Sequence, residues 1–80
     1  MKSKSEFALT QLGFAEIYFK TDKLQAALNT AISALVSFQE DGNIRGQASS
    51  QFLLARIHFK LGNAKKSSNY FDETLKNAKA

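Results

Sequence analysis

Two stretches of this chain repeat one another. Ala15-Glu16-Ile17-Tyr18-Phe19-Lys20-Thr21-Asp22 returns 40 residues later as Ala55-Arg56-Ile57-His58-Phe59-Lys60-Leu61-Gly62. Ala, Ile, Phe and Lys recur in place, and His58 stands where Tyr18 stood. The echo extends outward: Gln11 matches Gln51, Asn29 matches Asn69 and Leu35 matches Leu75. A period of this length constrains the fold more than any local feature. Each unit of such a repeat buries little alone and must stack on its neighbour.

The spacing inside each unit is helical. Proline is absent, glycines number only four, and apolar residues recur at three- and four-residue intervals. Four helices are expected. Ser3 followed by Glu6 forms a capping-box signature, and the first helix runs from there to about Lys20. Its apolar residues, Phe7, Leu9, Leu12, Phe14, Ile17, Tyr18 and Phe19, nearly encircle it, so one neighbour cannot cover them all. Thr21-Asp22-Lys23 is a turn. Asp22 is expected to cap the second helix, with Gln25 completing the box. That helix runs from about Lys23 to Gln39, and its Ala27, Ala31 and Ala34 form a small-residue stripe that admits a close neighbour. Glu40-Asp41-Gly42-Asn43 breaks the chain again, Gly42 supplying the left-handed backbone and Asn43 the next cap. The third helix covers about Ile44 to Leu61, where Gly46 is expected to cost little. Gly62 ends it, and the fourth covers about Ala64 to Lys79.

The expected fold is therefore all-α: two stacked helix-turn-helix repeats made of four antiparallel helices. Residues 1–5 form a flexible N-terminal tail, 6–41 the first repeat and 42–80 the second. Eighty residues make one small domain near the lower limit of independent stability.

These units resemble tetratricopeptide repeats (TPR) of a long, 40-residue variety, whose usual unit is about 34 residues. With the family's turn glycine aligned on Asp22 and Gly62, its small first-helix position falls on Ala15 and Ala55. Its aromatic pair falls on Tyr18-Phe19 and His58-Phe59. Its small second-helix positions fall on Ala27 and Ala34, then on Ser67 and Thr74, and its large one on Ala31 and Phe71. The closing proline is absent. Units of this length resemble those of kinesin light chains, Pins-type polarity adaptors and the anaphase-promoting complex scaffold.

The resemblance implies a protein-binding module that takes a peptide or protein segment in a concave groove lined by the first helix of each repeat. Carried over by register, that groove holds Leu9, Leu12, Glu16, Phe19 and Lys20 from one unit. The other supplies Ser49, Phe52, Arg56, Phe59 and Lys60. Lys20, Arg56 and Lys60 could meet acidic groups and Glu16 a basic one. Phe19 and Phe59 also fit a purely structural role in the core. The Lys/Asn clamp of chaperone-tail binders is not reproduced, because Leu12 and Glu16 occupy its key places.

No chemistry is expected. His58 is the only histidine and cysteine is absent, so no usual zinc site or thiolate nucleophile can be built. Asp72 and Glu73 are helix neighbours that diverge, not an acid/base pair. Gly62 to Ser67 lacks the second glycine and preceding strand of a phosphate loop. No cofactor is implied. The net charge of +4 is scattered rather than clustered, and no helix concentrates Arg/Lys with Asn/Gln for base edges. A nucleic-acid-binding helical domain is thus the weakest alternative. A stronger one is homo-oligomer assembly, or a place within a larger repeat scaffold, since about three repeats are normally needed for stability and this chain carries two. No apolar run approaches the about 20 residues that span a bilayer. The absence of a signal peptide and of cysteine suits an intracellular adaptor.

Overall fold

The computed structural model describes residues 3–63, and these are all-helical. Helix α1 spans Lys4–Lys20, α2 Leu24–Glu40 and α3 Ile44–Lys60, each of 17 residues. The expected fourth helix, with Ser67, Phe71 and Thr74, lies outside the described residues.

One turn is used three times. In Thr21-Asp22-Lys23, Asp41-Gly42-Asn43 and Leu61-Gly62-Asn63 the middle residue adopts φ of +66°, +66° and +82°. The third residue's N–H donates to the carbonyl five residues back: Lys23 to Tyr18 (2.8 Å), Asn43 to Phe38 (2.9 Å) and Asn63 to His58 (2.8 Å). The middle N–H donates to Phe19, Gln39 and Phe59 at 3.2, 3.1 and 3.0 Å. Two carbonyls left over at each helix end are thereby satisfied, the Schellman arrangement. Helix and turn therefore recur every twenty residues, although side-chain identity recurs only every 40.

Two caps form as the sequence predicts. Ser3 Oγ accepts from Glu6 N–H at 3.2 Å, and Asn43 Oδ1 accepts from Gly46 N–H at 2.9 Å. The third does not. Lys23, not Asp22, precedes α2, and no side chain caps that helix. Asp22 is committed to closing α1 with a positive φ, which removes it from N-cap position. Gln25 donates instead to Asn29 Oδ1 at 3.2 Å. The boundary at residue 5 also moves: Lys4 and Ser5 belong to the first turn of α1.

Short turns make α1 and α3 each antiparallel to α2. Contacts at both ends show that α1 and α3 run parallel. Asn43 Nδ2 donates to Ser5 Oγ at 3.0 Å near their N-termini, and Arg56 faces Glu16 near their C-termini. Asp41 accepts from both the backbone N–H and the hydroxyl of Ser5, and Lys4 pairs with Glu40 at 3.1 Å. The 40-residue echo thus brings like ends of α1 and α3 together: Glu16 faces Arg56, 40 residues on, and Ser5 meets Asn43, 38 residues on.

Alanines set the spacing. Ala8 joins Ala34 and Phe38 in one buried cluster, while Ala15, Ala27 and Ala31 join Leu53, Leu54 and Ile57 in another. Leu12 packs against both. The α1–α2 seam is therefore narrow, and α3 brings the bulk. Full burial of Phe38 contributes roughly 1.5–3 kcal/mol. Its ring lies where a Cβ on Gly46 would have to sit, so Gly46 is a packing requirement rather than a tolerated weakness.

Candidate functional site

The ledge between α1 and α3 follows from their parallel alignment. On α3, Arg45, Ser49, Phe52, Arg56 and Phe59 fall at four- and three-residue steps and share its outward side. On α1, Glu16 and Phe19 lie next to that side. Arg56 joins the two helices. Its guanidinium carbon stands 4.7 Å from the Phe19 ring centre and 5.7 Å from that of Phe52. Its Nη1 faces Glu16 Oε1 at 3.9 Å. Lys60 Nζ repeats the pattern one turn further, 5.2 Å from the Phe19 ring centre and 3.7 Å from Asp22 Oδ1.

The charges are ordered. Both carboxylates belong to α1 or its closing turn, and both cations to α3, so the ion pairs hold the helices side by side. Their lengths and exposure keep each within about 1 kcal/mol. Stacking over rings adds roughly 0.5–1 kcal/mol per cation where water has access. Arg56 donates no hydrogen bond within the described fold, because 3.9 Å is too long for one. Its fork of N–H groups stays available to an incoming carboxylate.

Phe19, Arg56, Phe59 and Lys60 line an open hollow of about 530 Å³. The two phenylalanines, equivalent in sequence, differ in place. Phe19 is half-buried against the core, whereas Phe59 is 71% exposed. Of the ten residues expected in the groove, Glu16, Phe19, Phe52, Arg56, Phe59 and Lys60 come together here. Leu12 turns into the core, Ser49 is exposed along α3 one turn before Phe52, and Leu9 and Lys20 are exposed on α1 away from the hollow. Asp22 joins the ledge unforeseen, having been read as a turn residue and a cap. Its signal in the sequence was the 38-residue offset to Lys60, close to the repeat period.

His58 is buried on the opposite side of α3. Among the described residues no three metal-ligating side chains converge, and no helix is long and apolar enough to cross a membrane. Another, smaller hollow, about 320 Å³, lies between α1 and α2 and is lined by Phe7, Thr10, Gln11, Phe14, Tyr18 and Thr30. Comparison with known proteins finds no matching family model, curated protein or solved structure.

Proposed function

We propose that this chain is a TPR-like, non-enzymatic interaction module, an intracellular adaptor or scaffold piece whose α1–α3 ledge receives a protein or peptide segment. The observation that carries this reading is the exposed Phe59 ring beside a guanidinium that rests on Phe19 and Phe52. Aromatic and arginine side chains in such a cluster are the usual anchors of protein interfaces. An apolar hollow rimmed by Arg56 and Lys60 suits a segment that carries an apolar side chain next to a carboxylate.

A random peptide library selected against the chain tests this. Enrichment of acidic–apolar peptides is expected, with affinity falling about tenfold or more for Phe59→Ala and for Arg56→Ala. Phe59 is largely exposed, so its replacement should leave thermal unfolding unchanged. A library that enriches nothing over the doubly substituted chain would overturn the assignment.

A further inference from the structure

Another flank of α1, next to the ledge, carries a second pattern. Leu9, Gly13 and Ile17 form one ridge of four-residue steps, and Glu6, Gly13 and Lys20 lie nearly in line at seven-residue steps. All are exposed, Leu9 at 59% and Ile17 at 57%. Of the charges on α1, Lys4 pairs with Glu40 and Glu16 faces Arg56. Glu6 and Lys20 make no ion pair within the described fold. Gly13 weakens the helix interior, yet a Cβ there would meet nothing within 4 Å. Nothing among the described residues requires this glycine.

We propose that this flank is a homodimer interface, in which α1 of two copies cross antiparallel about a two-fold axis at Gly13. A two-fold contact requires a surface complementary to itself, and this one is. Reversal about residue 13 brings Glu6 opposite Lys20 of the second copy, twice. It brings Leu9 opposite Ile17 of the second copy, also twice. Gly13 faces its own counterpart at the crossing, where a missing side chain lets two helices approach closely. A parallel arrangement would set Glu6 against Glu6 and Lys20 against Lys20. The charges therefore choose both the occupant and its direction. One helix against one helix is a small contact, below about 1,200 Å², so association is weak and rises with concentration. Phe19 and the α3 anchors lie off this flank and Glu16 only borders it, seven residues from Leu9, so the dimer leaves the hollow at Phe19, Arg56 and Phe59 open.

Sedimentation velocity of the full chain from micromolar to millimolar concentration tests the proposal. A monomer–dimer equilibrium is expected. Gly13→Leu should weaken it about tenfold or more while helix content and unfolding temperature hold, since the space around Gly13 is open. Glu6→Lys and Lys20→Glu should each weaken the homodimer by setting like charges together. Mixing these two variants should restore association, because each then supplies the sign the other lacks. Mixing also separates association from any loss of helix stability at the altered termini, which no partner would repair. A monomer throughout, a dimer indifferent to Gly13→Leu, or charge variants that fail to rescue each other would each overturn the proposal.

Discussion

Ile17 and Ile57 are the same residue at corresponding positions of α1 and α3, and their surroundings are opposite. Ile17 is 57% exposed, whereas Ile57 is sealed in the core beside Ala27 and Ala31. The contrast holds along both helices. Only Ala8 and Ala15 of α1 are buried, while α3 buries Gly46, Ser50, Gln51, Leu53, Leu54, Ala55, Ile57 and His58. Gly13, open on every side, corresponds to Leu53, which is packed away. A duplicated pattern therefore does not carry a duplicated environment. Place in the fold decides it for the isoleucines: α3 has α2 against the flank of Leu53 and Ile57, and α1 leaves the corresponding flank bare.

The largest expected effect sets the two isoleucines against each other. Ile57→Ala should cost about 2–5 kcal/mol, through lost transfer energy and the cavity left behind. Ile17→Ala should fall within about 0.5 kcal/mol, as surface changes do. Urea unfolding followed by circular dichroism measures both, at a concentration low enough to keep the chain monomeric. Equal losses would mean that α1 and α3 are not differently packed.

A middle-sized effect concerns the seam between α3 and α2. Gly46→Ala drives a methyl group into the Phe38 ring, which is itself fully buried, and should cost about 1–3 kcal/mol despite alanine's better helix propensity. A stabilised variant in the same assay would show that the helices can part without loss. The smallest effect compares turns. Gly42→Ala forces a side chain into left-handed backbone and should cost about 1–2 kcal/mol. Asp22→Gly relieves that strain at the first turn but loosens the unfolded chain and removes the Lys60 contact, so a change below about 1 kcal/mol is expected. Thermal unfolding of the two variants side by side checks the ordering.

Much of this was legible in advance, and the reason is range. The ends of α1 and α3 and the break at Gly42 follow from backbone torsions and hydrogen bonds within six residues, which Ser3, Asn43, Gly42 and Gly62 announce. The Asp22–Gln25 box misled because aspartate suits both a helix start and a left-handed turn. The ledge was partly legible: periodicity places Phe52, Arg56 and Phe59 on one side of α3. It could not say that Arg56 bridges to Phe19, or that Leu12 belongs to the core.

The sequence by itself determined that residues 4–60 are helical, where their turns fall and which residues recur, because those properties rest on torsional preference and near-neighbour spacing. Only the tertiary structure decided which copy of each recurring residue meets water. Burial depends on what lies across a helix. With apolar residues almost all round α1, no pattern along the chain says which side a neighbour will take.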